Sequence, residues 1–194
     1  MNIRQKILEV SYLSGACHIG SALSCVDILE DLFKKNGIVI FSKASGLAAL
    51  YCLKYEKKEA VKLLKKYPVG IGSLGHGLPI AVGMALAGKT HIYCLMSDAE
   101  LQEGTTWECL LFKKQHKLDN LHIYVDNNGF QATGRIKDIL NLPYGFLKKN
   151  GFNIIKTKKG QGVSFMEGNN DWHYRNLSED ELRRAVAELN TKTI

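Results

Sequence analysis

Two short apolar runs separated by a helical segment constrain this chain more than anything else in it: HIYCLM at 91–96 and LHIYV at 121–125. Neither shows the strict polar–apolar alternation of a strand with one wet face, so both are expected to be strands buried on both faces. The stretch between them, about 104–116, has the length and composition of a helix. A strand, a crossover helix and a second buried strand make a parallel βαβ unit. Further strands are expected at GIVIF (37–41) and FNIIKT (152–157). Helices are expected over 3–13, 21–35, 45–66 with a break near Tyr55, 78–88 and 178–190. The last of these opens with Ser178 and Glu181 at the spacing of a capping box. Strands alternating with helices predict an α/β fold, a parallel sheet flanked by helices on both faces. The 194 residues fit a single domain over 1–194.

Composition removes several classes of protein. No apolar run approaches the roughly 20 residues of a membrane span, and MNIRQKILEV lacks the apolar core of a signal peptide. Five dispersed cysteines without a C-x-x-C point to a reducing, cytoplasmic setting and to small buried side chains, not to disulfides. The formal charge of +7 comes mainly from lysines, including KYEKKEAVKLLKKY at 54–67. There Ala60, Val61, Leu63 and Leu64 form an apolar side, so this run reads as the wet face of an amphipathic helix. Attraction of an anionic ligand is the functional alternative. Nucleic acid is not expected as a partner, because no aromatic residues interleave with the basic ones.

In a parallel sheet, ligands bind beyond the carboxyl ends of the strands. Asp98 lies two residues past Met96, and Asn128 follows it by thirty positions at the end of the next strand, in DNNGFQATG. If the two strands are neighbours, a carboxylate and a carboxamide oxygen emerge side by side. Gly129 then allows a sharp turn that exposes a main-chain carbonyl. Three such oxygens, with room for water and phosphate, suit octahedral Mg²⁺ holding a diphosphate. From the residues alone, an Asp and an Asn at strand ends are equally well read as turn formers. YPVGIGSLGHGLP (67–79), with four glycines and two prolines, is a loop by composition. So is most of 157–177, TKKGQGVSFMEGNNDWHYRNL, a length that implies a function or a surface to pack on.

The stretch SDAELQEGTTWECLLFKKQHKLDNLHIYVDNNGFQATG (97–134) resembles the thiamine-diphosphate motif of the transketolase family, G-D-G-E-L-Q-E-G…W-E followed by D-x-N-G-[LF]-Q…G. Three other segments match that family in order: SGACHIGSALSCVDILEDLF, VGIGSLGHGLPIAVGMALAGK and KKGQGVSFMEGNNDWHYR. The likeness runs over most of residues 3–190 and is to the N-terminal, cofactor-binding subunit of a split transketolase-like enzyme. It implies thiamine diphosphate and Mg²⁺ as cofactors. Asp98 and Asn128 would ligate the metal through side chains and Phe130 through its carbonyl. Ala99 would offer its N–H to the diphosphate. Gly72 would accept a bond from the cofactor's amino group, and Leu74 would support its rings. His18, His76 and His173 would be the catalytic histidines. Glu103 and Glu108 match buried acids near a subunit interface. The resemblance implies transfer of a two-carbon ketol unit between sugars or sugar phosphates. It also implies a separate C-terminal-type partner subunit, in an α₂β₂ assembly, without which the chain is inactive.

The sequence also departs from the family. Its G-D-G is SDA here, so Ser97 and Ala99 stand where glycines are expected; a positive φ at either would cost about 1 kcal/mol or more. Ser45, in SKASG, stands where a cofactor-facing histidine is expected. A segment with another histidine is missing between Tyr51 and Val69, and a G-H-D element is missing between Phe152 and Lys156. These losses leave several readings open: an enzyme for a modified sugar, an ordinary ketose-phosphate transketolase, a non-catalytic cofactor-binding or structural subunit, and a lyase or decarboxylase acting on a keto acid.

Overall fold

The structure is a computed structural model, and it describes residues 2–66 and 73–191. These fall into two compact units. One comprises the described residues of 1–29, 45–72 and 158–194, and the other those of 30–44 and 73–157.

The first unit is mainly helical. Its α1 (Ile3–Ser14) starts at Asn2, whose side chain accepts from the Arg4 N–H, and stops at Gly15, which adopts φ 71°. That left-handed cap suits glycine because it has no Cβ to clash. Next come α2 (Ile19–Phe33), which belongs to this unit as far as Leu29, α3 (Leu47–Lys54) and α4 (Lys57–Lys66). The break expected near Tyr55 lies between the last two. α4 buries Ala60 and Leu64 and leaves its lysines in water, as its pattern requires.

The second unit holds the sheet. Its strands are β1 (Ile38–Phe41), β2 (Ile92–Ser97), β3 (Leu121–Asn127), β4 (Phe130–Gln131), β5 (Gly134–Arg135) and β6 (Phe152–Lys156). β1, β2, β3 and β6 form one parallel sheet in that order, and β4 with β5 is a small antiparallel ribbon. The unit's helices are α5 (Gly77–Ala87), α6 (Gly104–Gln115), α7 (Ile136–Ile139) and α8 (Tyr144–Lys149). α9 (Glu179–Thr191) returns to the first unit, where it packs with α3 and α4 around α1. Its capping box is formed: Ser178 N–H donates to Glu181 Oε2 at 2.8 Å, and Glu181 N–H to Ser178 Oγ at 3.3 Å.

The parallel sheet is flanked by helices, as the sequence predicts. Ile92, Cys94 and Met96 of β2 and Leu121, Ile123 and Val125 of β3 share one face and pack against Leu78, Ala81 and Val82 of α5. The other face departs from the expectation of complete burial, because Tyr93, His122 and Tyr124 are only half-buried there. Tyr93 stacks on His122 with centroids 4.9 Å apart, and His122 Nε2 lies 2.9 Å from His91 Nδ1. Aromatic and imidazole rings tolerate this half-wet position because each has an apolar body and a polar edge. The small antiparallel ribbon, α7 and α8 are elements that periodicity did not indicate; each is too short for a period to register.

Candidate functional site

Parallel pairing puts every strand's carboxyl end on one edge of the second unit. Ser97 stands level with Asp126, and Asp126 with Ile155. Past those ends come Ser42 and Lys43 after β1, Asp98 after β2, Asn128 after β3 and Thr157 after β6. The expected juxtaposition of Asp98 and Asn128 is therefore present. Asp98 is fully buried; its N–H donates to the Asp126 carbonyl at 3.2 Å, and its Oδ2 accepts from the Gly129 N–H at 2.6 Å. Gly129 has φ 82°, the left-handed turn that the sequence predicts there. Asn128 Oδ1 accepts from the Phe130 N–H at 2.9 Å.

One atom of this cluster is orphaned. Asp98 Oδ1 is buried and has no hydrogen-bond partner among the described residues. Burial pushes the Asp98 carboxyl from its ordinary 3.8 up to about 7; Lys43 and the Gly129 N–H pull it down, and Asp126 adds to the rise. A dry carboxylate oxygen without a donor is what a hard cation would satisfy. One carboxylate, one carboxamide and a nearby carbonyl form a sparse oxygen set, which suits Mg²⁺ retaining water and phosphate ligands.

Around this cluster lies a scaffold that sequence reasoning missed. Lys43 and Asp126, both almost wholly buried, form an ion pair, and Thr157 Oγ1 donates to the other Asp126 oxygen. Thus the ends of β1, β3 and β6 are tied by one polar chain. Glu100, also fully buried, accepts from Ser97 N–H at 2.7 Å and Ser97 Oγ at 3.0 Å. Its other oxygen takes the Ser42 hydroxyl and the Gly75 N–H, the latter at 3.3 Å. Glu100 thereby anchors the glycine loop to the strand edge. Gly75 has φ 78°, and a Cβ on Gly77 would lie 2.4 Å from Ser42 Cβ. Neither Ser97 nor Ala99 has a positive φ, so the lost glycines carry no backbone strain. Ala99 opens a short 3₁₀ turn directly after Asp98. Leu74 is half-buried against the core; His76 is exposed, with Nε2 2.6 Å from Ser73 Oγ. Gly72 lies outside the described residues. Glu103 is half-buried and Glu108 exposed.

The first unit brings His18 and His173 together, with ring centroids 4.7 Å apart and edge to face. His18 takes φ 65°, unusual for a side-chain-bearing residue, and its N–H donates to the His173 carbonyl at 2.9 Å. Cys17 Sγ lies 2.9 Å from His18 Nδ1, and burial pushes that thiol up, so it stays protonated. Lys159, fully buried, reaches Asn170 Oδ1 at 2.8 Å and His173 Nδ1 at 2.7 Å. An ammonium has only donors, so Nδ1 must accept and the ring's own proton sits on Nε2. The loop 157–177 is therefore not structureless. Trp172 and Met166 bury within it, and the Gly160 N–H donates to the Gly20 carbonyl at 2.8 Å.

Comparison with known proteins gives this arrangement its class. Residues 44–191 match the family described as "Thiamine pyrophosphate enzyme, C-terminal TPP binding domain". A transketolase from Pichia stipitis, solved with sedoheptulose 7-phosphate, superposes with a TM-score of 0.85 at 16% identity over 97% of this chain. That match covers 40% of the Pichia chain, so this protein spans about two-fifths of that enzyme's length. Among sequence relatives, an apulose-4-phosphate transketolase subunit of Actinobacillus succinogenes is 32% identical over 96% of this chain and 93% of its own. An uncharacterized transketolase family protein of Sinorhizobium fredii is 51% identical over 59% of this chain and 54% of its own. The chain belongs to the transketolase family, on the branch of the cofactor-binding subunits of split enzymes. With 96% of 194 residues taking part, about 70 of the 256 positions aligned with the Actinobacillus protein have no counterpart here, in line with the internal losses read from the sequence.

Proposed function

We propose that this chain is the cofactor-holding subunit of a cytoplasmic two-chain transferase that moves a two-carbon ketol unit between sugars or sugar phosphates. The observation that carries the reading is Asp98: a dry carboxylate with one oxygen orphaned, beside Asn128 at adjacent strand ends. Asp98, Asn128 and the Phe130 carbonyl would hold Mg²⁺, and the Ala99 N–H would meet the diphosphate it carries. Gly72 and Leu74 would seat the rest of the cofactor. Thiamine diphosphate, once bound, supplies the nucleophilic carbon that opens the sugar's carbon–carbon bond. His18 and His173 would bind the sugar's oxygens or exchange protons with them, and His76 would lie close to the cofactor. The relatives named as transketolase subunits support a separate C-terminal-type partner, in an α₂β₂ assembly with that chain.

Calorimetric titration of thiamine diphosphate and Mg²⁺ into the chain, alone and with its partner subunit, tests the reading. Saturable, Mg²⁺-dependent binding that is lost in Asp98→Ala is expected. Ketose turnover is expected only with the partner present; turnover by the isolated chain would refute the division of labour. Ser45 and the roughly 70 missing positions favour a second reading, a cofactor-binding subunit without turnover. Tight cofactor binding by the complete complex, with no product from any ketose or keto acid, would select it.

A further inference from the structure

We propose that the second unit carries an anion pocket separate from the cofactor site, shaped for a phosphate monoester of about monosaccharide size. A cavity of about 350 Å³ opens where β3 and β6 end. Its rim includes Arg135, Lys137 and Lys156, and among the described residues no aspartate or glutamate lines it. Nor, among those residues, does any of these three cations pair with a carboxylate. Three unneutralised positive charges around one hollow repel one another, and a bound dianion turns that repulsion into attraction.

The geometry suits a phosphate edge. The Arg135 guanidinium carbon sits 4.9 Å from the centre of the Phe130 ring, which holds its planar fork in place. Burial, with the Asp98 charge, raises the Tyr144 phenol to about 12, so its hydroxyl is a donor at neutral pH. The buried side chain of Ile136 contributes an apolar surface, so the hollow suits a ligand with an organic body over a bare inorganic ion. The volume is at the lower end for small-molecule sites.

The cavity shares the Asn128–Phe130 turn with the candidate metal site, but Asp98 does not line it. Its occupancy is therefore independent of the cofactor reading, and the two fail separately. Phenyl phosphate titrated calorimetrically into the full chain is the test, with phenol and inorganic phosphate as references. Saturable binding is expected, weaker for inorganic phosphate and absent for phenol. It should fall by about tenfold or more in Arg135→Gln/Lys156→Gln, because two charge-assisted contacts to the anion are lost together. Asp98→Ala should leave it unchanged, and saturating thiamine diphosphate with Mg²⁺ should not displace the probe. Three results would each overturn the proposal: no saturable binding at millimolar probe, binding indifferent to the double substitution, or binding abolished by Asp98→Ala or displaced by the cofactor. Both substituted residues are exposed, so the variant chain is expected to fold, and its circular dichroism checks that directly.

Discussion

Asp98 should make the metal-free chain less stable as pH rises. In the unfolded chain its carboxyl titrates near 3.8; in the folded chain, burial raises it to about 7. Between those values the folded state holds a proton that the unfolded state has released. Stability from this group is therefore fully present below pH 3.8 and is lost as pH climbs through about 7. The difference corresponds to about 4 kcal/mol, a large share of the 5–15 kcal/mol typical of a domain. Asp98→Asn isolates the effect, because the carboxamide keeps the volume and an oxygen for the Gly129 N–H but cannot ionise. Urea denaturation of both proteins with EDTA, at half-unit steps from pH 4 to 8, measures it. Relative to wild type, Asp98→Asn should gain about 4 kcal/mol across that range, and groups common to both proteins cancel. Mg²⁺ with thiamine diphosphate should then stabilise wild type at pH 8 and not the variant, because the metal takes the proton's place. Curves that stay parallel from pH 4 to 8 would mean that Asp98 is already ionised without metal, and the argument from its dry oxygen would fall.

Three further perturbations probe the supports of the site. Gly77→Ala would place a methyl 2.4 Å from Ser42 Cβ and 2.6 Å from its Cα; displacing backbone costs about 1–3 kcal/mol, read as a lower melting temperature. Lys43→Met strands the Asp126 carboxylate and should cost about 3–5 kcal/mol in urea titrations, whereas Lys43→Met/Asp126→Leu should recover much of that loss. Lys159→Met removes the ammonium that donates to His173 Nδ1. In ¹⁵N-edited imidazole spectra, wild-type His173 should remain the Nε2–H tautomer at neutral pH, and the variant should show tautomer exchange and an ordinary histidine titration.

Much of the edge was legible because parallel strands carry simple information. Once HIYCLM and LHIYV are neighbours, the residues that follow them must emerge together, and Asp98 meets Asn128 by topology alone. Gly129 was legible for the same reason, since a turn directly after a strand end demands a left-handed residue. Other partnerships were not, because they depend on register and rotamer across long separations. Nothing in SKASG says that Lys43 will bury against Asp126, 83 positions later. Likewise, the lysines of KTKK look alike in sequence, yet Lys158 is exposed, Lys159 is sealed behind His173 and Lys156 lines a cavity. A charged side chain buries only where a partner is waiting, and the chain's local pattern does not record the partner.

Ser97 and Ala99 carry the same lesson in the opposite direction. As sequence they look like damage to a glycine-flanked aspartate. In the fold neither position needs a positive φ, and Ser97 uses its hydroxyl as well as its N–H to bind Glu100. Glu100 in turn holds the Gly75 N–H and the Ser42 hydroxyl. The side chain that replaces a glycine thus adds a strut between the aspartate turn and the glycine loop. What the strand edge requires at this place is the carboxylate of Asp98 at a fixed position, and two different backbones' worth of neighbours can supply it. Ser97→Gly is accordingly neutral for the backbone and costs one buried hydrogen bond, about 1 kcal/mol. A substantially larger loss would mean that Glu100, through Ser97, sets the position of Asp98 itself.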